Sequence, residues 1–292
     1  MIQLTSLEGN RQKLDGGSMF GNAPRAVWSK WTSPDEQGRI DLACRSFLIQ
    51  WEGHNILLET GIGSFFEPKM ADRFGVQDPD RHLLVEALAE KGLTPSDIDA
   101  VVLSHLHFDH AGGLLPNYKD RESGNDELIF PKAQFFVGEE AWKRAVDPHP
   151  RDRASFIPGL TEKLEQSGRL TRIPEGGKFP APYDQILSFR ISNGHTPGQL
   201  LTQVSGPKYS AIFTGDLVPG SHWIHLPITM GYDRFPEKVI DEKSDLYKEA
   251  APKHWILLFT HDDQVSGAQI CQDERGKYAV DQAFPQFEAF QL

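Results

Sequence analysis

Three features of this 292-residue chain predict an α/β fold. Strand-like and helix-like segments alternate to the C-terminus, with no Ser/Pro-rich linker or low-complexity tract between them. Several short apolar runs end in turn formers that carry histidine or aspartate. Hydrophobic residues make up 39% and charged residues 24%, the balance of a packed core.

The elements follow in order. Residues 1–40 read as an opening strand and then a long, partly irregular arm. Trp28, Trp31, Met19 and Phe20 give that arm enough apolar surface to dock on the body. Residues 41–292 read as one domain. Cys44 to Trp51 and His54 to Glu59 form a hairpin around Glu52-Gly53. Asp80 to Lys91 has Leu83, Leu84, Ala87 and Leu88 on one helical face, with Gly92 placed to end it. Ala100 to Leu103 is an apolar strand. Gln134–Val137 reads as a strand and Glu139–Val146 as a helix. Strands follow at Leu170–Ile173 and Ile186–Ile191, then a hairpin of Leu200–Val204 with Tyr209–Thr214. Glu237–Ala250 is an amphipathic helix with Val239, Ile240, Tyr247 and Ala250 inward. His254–Thr260 is a buried strand, and Gln269–Cys271 and Lys277–Val280 flank the Glu274-Arg275-Gly276 turn.

Composition excludes several function classes. No apolar run approaches the roughly 20 residues a membrane helix needs. Met1 to Ser6 lacks the basic start and apolar stretch of a signal peptide, so the expected location is cytoplasmic. A net charge of −11 disfavours a nucleic-acid partner, which calls for clustered Lys/Arg. Cys44 and Cys271 read as free thiols rather than a disulfide.

The chemistry concentrates at Ser104-His105-Leu106-His107-Phe108-Asp109-His110-Ala111-Gly112-Gly113, directly after the Ala100–Leu103 strand. Three imidazoles and a carboxylate crowd one turn. Neutral imidazole and carboxylate are preferred ligands for zinc-like ions. Four candidates exceed the three protein ligands that a single catalytic ion usually takes, so two ions are the natural reading. The remaining ligands are expected at strand ends, where loops are exposed yet rigidly held. His195, Asp216 and His261 each follow an apolar run and are flanked by turn formers. Taken alone, Asp216 also fits a turn cap, and His195 and His261 also fit ordinary loop histidines.

The set His105-x-His107-x-Asp109-His110, then Gly194-His195, Gly215-Asp216 and His261, resembles the metallo-β-lactamase superfamily. The resemblance implies an αββα sandwich of two mixed sheets flanked by helices, with the site at the edge between the sheets. It implies one metal on His105, His107 and His195, a second on Asp109, His110 and His261, and Asp216 bridging them. Gly194-His195-Thr196-Pro197-Gly198, His110-Ala111-Gly112-Gly113 and the segment Leu14 to Gly21 resemble the quorum-quenching lactonase and methyl-parathion-hydrolase branch. That branch implies a dinuclear metal-dependent hydrolase in which hydroxide bridging two divalent ions opens acyl-homoserine-lactone-like lactones or cleaves carboxylic esters. Zinc is the expected ion, with Mn2+, Fe2+ or Co2+ as alternatives. Asp109 is the expected catalytic proton carrier. A glyoxalase II-like thioesterase and an organophosphate triester hydrolase use the same ligands.

Two departures stand out. Glu59-Thr60-Gly61 replaces the usual Asp-x-Gly, and Pro219 stands where lactonases place a substrate-polarising Tyr, so that such a phenol either comes from elsewhere, with Tyr232 the candidate, or is absent. His107 argues against the di-iron flavoprotein branch, which usually has Glu there. Ser104 is expected to fix a ligand imidazole through its hydroxyl. Phe65, Phe66, Met70, Phe108, Trp223, Met230 and Tyr232 are the candidate substrate wall, with few Lys/Arg among them, although Phe65-Phe66 also fits core or lid packing. His222 and His225 fit either pocket lining or burial. The expected partner is a small lactone or ester, and the apolar arm leaves room for a homodimer.

Overall fold

The computed structural model describes residues 1–292. Its strands, in chain order, are β1 (Ile2–Leu7), β2 (Gln12–Asp15), β3 (Arg39–Leu42), β4 (Ser46–Trp51), β5 (His54–Leu58), β6 (Ala100–Val102), β7 (Gln134–Gly138), β8 (Leu170–Ile173), β9 (Leu187–Ser192), β10 (Gln199–Ser205), β11 (Ser210–Phe213), β12 (Ile256–Leu258), β13 (Gly267–Gln272), β14 (Tyr278–Phe284) and β15 (Phe290–Gln291). One seven-stranded sheet runs β15-β1-β4-β5-β6-β7-β8, and one six-stranded sheet runs β14-β13-β12-β11-β10-β9. Both are mixed: β5 through β8 pair in parallel, as do β11 and β12, and the remaining pairs are antiparallel.

Alternation along the strands builds the layers. Phe47 and Ile49 of β4, Ala100 and Val102 of β6, and Phe136 of β7 meet Leu200, Val204, Phe213, Ile256 and Leu258 of the facing sheet. The intervening Leu48, Val101, Phe135 and Val137 point the other way, onto Leu84, Leu88, Trp142, Leu160 and Leu164 of the flanking helices. Behind the six-stranded sheet, Leu201, Ile212 and Leu257 pack on Val239, Leu246 and Tyr247 of the helix Pro236–Ala250. The result is the αββα sandwich.

The opening strand is β1, and it lies inside the seven-stranded sheet between β4 and β15. Its Ile2 and Leu4 fill the intersheet core, so the arm proper starts after it. Met19, Phe20, Trp28 and Ile40 of the arm dock on the outer layer of the six-stranded sheet. In the helix Pro236–Ala250, Ile240 is only half-buried, whereas Lys243 and Leu246 are buried. Cys44 and Cys271 are free thiols. No helix is long and apolar enough to cross a membrane.

At one edge the two sheets are stitched by main-chain bonds, Leu200 N to Ser104 O at 2.9 Å and Arg45 N to Thr260 O at 3.0 Å. The carboxyl ends of β5, β6, β11 and β12 open at this edge, where the loops of an α/β sheet commonly build sites.

Candidate metal centre

β6 ends at Val102, and the chain turns through Leu103 and Ser104 into a short helix, Phe108–Ala111. This turn aims His105, His107, Asp109 and His110 into the edge between the sheets. Gly112 and Gly113 follow because no side chain fits: a Cβ on Gly113 would lie 2.0 Å from Thr60 O, and one on Gly112 would lie 2.2 Å from Ile62 O. The backbone after β5 therefore presses directly on the histidine turn. His195 arrives after β9, Asp216 after β11 and His261 after β12.

All seven side chains converge. One group that can hold an ion is His105, His107 and His195; another is Asp109, His110 and His261. Asp216 faces both: its Oδ2 is 3.3 Å from His195 Nε2, and its Oδ1 is 3.3 Å from His110 Nε2 and 3.2 Å from His261 Nε2. His107 Nδ1 lies 3.2 Å from His195 Nε2. Two donors about 2.0–2.1 Å from one tetrahedral zinc would sit about 3.3–3.4 Å apart, so these spacings would suit such an ion.

The other ring atoms are held in place. Ser104 Oγ is 2.9 Å from His105 Nδ1, as expected of that hydroxyl. His195 Nδ1 is 2.9 Å from Asp233 Oδ1, and His261 Nδ1 is 2.7 Å from Ala43 O. Each partner leaves Nε2 facing the centre, the arrangement that fixes the tautomer of a metal-ligating imidazole. Glu59 accepts Ser104 N at 2.7 Å and faces His110 Nδ1 at 3.6 Å, so the longer side chain still reaches the cluster. Gln12 Nε2 donates to Asp109 Oδ2 at 2.7 Å.

Electrostatics and polar bookkeeping agree with a cation centre. His105 Nε2 and His107 Nε2 are buried without a hydrogen-bond partner inside the protein, a costly state that coordination would resolve. Burial and the neighbouring imidazoles push His105 and His107 well below the usual histidine range, into the neutral form that binds metals. Burial also opposes charge on His110 and His261, but Asp216 together with Asp109 outweighs it and both stay well above that range. Asp216 itself is buried, yet the surrounding imidazoles keep its carboxyl well below the usual range. The donors thus fit a pair of divalent ions: five imidazoles and two carboxylates at suitable spacing.

A cavity of about 570 Å³ opens over this centre. Phe65, Phe66, Met70, Phe108, Met230 and Tyr232 line it, as expected of the wall. Trp223 is a correction. It is 3% exposed, stacks on Phe20 at 4.5 Å and donates its indole N–H to Met19 O at 2.8 Å, so it anchors the arm and stays outside the cavity. His222 stacks on Trp31 in the same layer, and His225 is likewise outside the cavity. The expected scarcity of basic residues is also corrected, because Arg73, Arg151 and Arg153 line the wall. The segment from Arg151 to Pro158 supplies a whole side of the cavity, and no periodicity or metal-binding signal marks it.

The fold is shared with known proteins. The chain matches the Metallo-beta-lactamase superfamily over residues 39–261. It belongs to that superfamily. An N-acyl homoserine lactonase of a Bacillus species is 26% identical over 184 residues, which is 58% of this chain and 62% of the relative, so the match spans less than two thirds of that protein. A probable metal-dependent hydrolase from Staphylococcus aureus superposes with a TM-score of 0.84 at 27% identity, covering 100% of this chain and 98% of that one. The dizinc quorum-quenching lactonase AidC, in complex with a product N-hexanoyl-L-homoserine, superposes with a TM-score of 0.75 at 19% identity, covering 100% and 96%, and shares the fold. Superfamily membership and the histidine–aspartate cluster make this chain a metal-dependent hydrolase.

Proposed function

We propose that this metallo-β-lactamase-fold hydrolase uses a dinuclear centre, most readily of zinc, to open lactones of the acyl-homoserine-lactone kind or to cleave carboxylic esters. His105, His107 and His195 hold one ion, and Asp109, His110 and His261 hold the other. The observation that carries the reading is the placement of Asp216, whose two oxygens face the two ligand groups at 3.2–3.3 Å.

When bound, such an ion pair supplies Lewis acidity at the scissile carbonyl and lowers the pKa of a water to about 7. The remaining work falls to the protein. Asp216 keeps the ligand groups in register. Gln12 holds Asp109 Oδ2, which leaves Oδ1 to carry a proton to the leaving alkoxide oxygen. Tyr232 lines the cavity, and the surrounding protein pushes its phenol above the usual range, so it remains a hydroxyl donor toward the substrate carbonyl. Phe65, Phe66, Met70, Phe108 and Met230 exclude water around the acyl group. No serine or cysteine nucleophile is required.

The test is a panel of acyl-homoserine lactones, aryl esters, S-lactoylglutathione and a neutral organophosphate triester, assayed with the metal-loaded protein. Lactone or ester turnover, lost on chelation and restored by zinc or manganese, supports the proposal. Turnover of the thioester alone replaces it with a glyoxalase II-like activity, and turnover of the phosphotriester alone with an organophosphate hydrolase.

A further inference from the structure

The chain carries 41 acidic against 30 basic residues, yet the cavity above the metal centre is lined by as many arginines as aspartates. Arg73, Arg151 and Arg153 all line it. None of the three forms an ion pair with the carboxylates along this wall. Arg73 rests over the Phe74 ring at 5.9 Å, and Arg151 donates from one guanidinium nitrogen to Gly231 O at 2.8 Å, leaving its other donors free.

The carboxylates of the cavity are otherwise engaged. Asp109 and Asp216 face the histidine centre. Asp152 is 7% exposed, and its Oδ2 is taken by Arg144, whose Nε and Nη2 lie 3.0 and 2.7 Å away, with Arg234 behind it at 4.0 Å. Three exposed arginines therefore line a concave, mostly apolar cavity without an internal ion pair. A cleft of one sign with low-dielectric walls concentrates the opposite charge, and guanidinium groups suit carboxylates through paired N–H donors. A neutral alkyl chain makes no use of them.

We infer that the acyl group this cavity takes carries a carboxylate at the end away from the scissile carbonyl, received by Arg151, Arg153 and Arg73. This deepens the lactone and ester reading and rests on it. The apolar wall spans the chain between the two ends, and the arginines set which chains are preferred.

The experiment compares two esters that differ only in the distal group, para-nitrophenyl butyrate and mono-para-nitrophenyl glutarate, on the metal-loaded holoenzyme. The corresponding para-nitroanilides, which resist turnover, report binding by calorimetry. The glutaryl ester should exceed the butyryl ester in kcat/KM by about tenfold at low salt, and the advantage should shrink as salt rises. Arg151→Gln and Arg153→Gln, alone and combined with Arg73→Gln, should bring the glutarate-to-butyrate ratio of kcat/KM measured on each variant down toward one. Equal or better hydrolysis of butyrate by the unaltered enzyme overturns the inference and leaves the esterase reading intact. If neither ester is hydrolysed, the esterase reading fails, and the anilides decide the rest: tighter, arginine-dependent binding of the glutaryl anilide upholds the carboxylate site, and equal binding removes it.

Discussion

His195 and Asp233 are locked together, Nδ1 to Oδ1 at 2.9 Å, with both side chains buried, so that the far nitrogen of the ring faces Asp216. The carboxylate of Asp233 is itself fixed, because Oδ2 accepts Met230 N at 2.7 Å. One aspartate thus sets the tautomer of a metal-facing imidazole and ties it to a loop on the cavity wall. Loss of such a partner typically lowers metal affinity by about 10–100-fold. Asp233→Ala should show that loss in a chelator competition, and an unchanged affinity would remove Asp233 from the ligand support.

Gln12 acts on Asp109 from a strand nearly a hundred residues away in sequence, and it is fully buried. A hydrogen bond to a charged group is worth about 1.5–3 kcal/mol, or roughly 10-fold or more in rate if it is felt at the transition state. Gln12→Leu should therefore lower kcat by about that factor with KM little changed and both ions retained. Wild-type kcat with normal metal content would show that Asp109 needs no such hold.

Gly113 has no space for a methyl group, since its Cβ would meet Thr60 O at 2.0 Å. Gly113→Ala should cost about 1–3 kcal/mol in urea unfolding and shift the histidine turn. Gly53, which meets nothing within 4 Å, is the control for crowding, although its positive φ also disfavours alanine. A Gly113→Ala protein as stable as wild type would contradict the described contact between the two turns.

Lys243 donates to the carbonyls of His225, Leu226 and Ile228 at 2.9–3.2 Å from the interior of the long helix. Burial lowers its pKa to about 7, against about 10.4 for an unfolded lysine. The folded value lies below the unfolded one, so the unfolded chain binds more protons between these limits. The contribution of Lys243 to stability is then fully present above about pH 10.4 and is lost as pH falls toward the folded value. Urea unfolding of wild type and Lys243→Met at pH 7.5 and 9.5 should show wild type gaining relative to the variant at the higher pH. A difference that stays constant or reverses would mean that the amine is charged throughout.

The convergence of the seven histidine and aspartate side chains was legible in the sequence because its signal is local: short apolar strands ending in His or Asp beside turn formers. The layers were legible for the same reason, as in β6, where Val101 faces the helices and its neighbours face the other sheet. What escaped has no local signature. Trp223 and Phe108 look alike as aromatics near the site, and only the arm's docking separates the buried anchor from the wall. Lys243 reads as a surface charge until three carbonyls are folded over it. Gln12, Asp233 and the Arg151–Pro158 wall act through tertiary contacts with partners dozens of residues distant.

The most direct test of the account is the transition-metal content of the folded, active protein and of two variants, measured by mass spectrometry after removal of loose ions. Two ions per chain are expected in the wild type. His261→Ala should retain about one, and Asp216→Asn should weaken both together. An active preparation without stoichiometric metal, or an Asp216→Asn protein that keeps two ions and full activity, would contradict it.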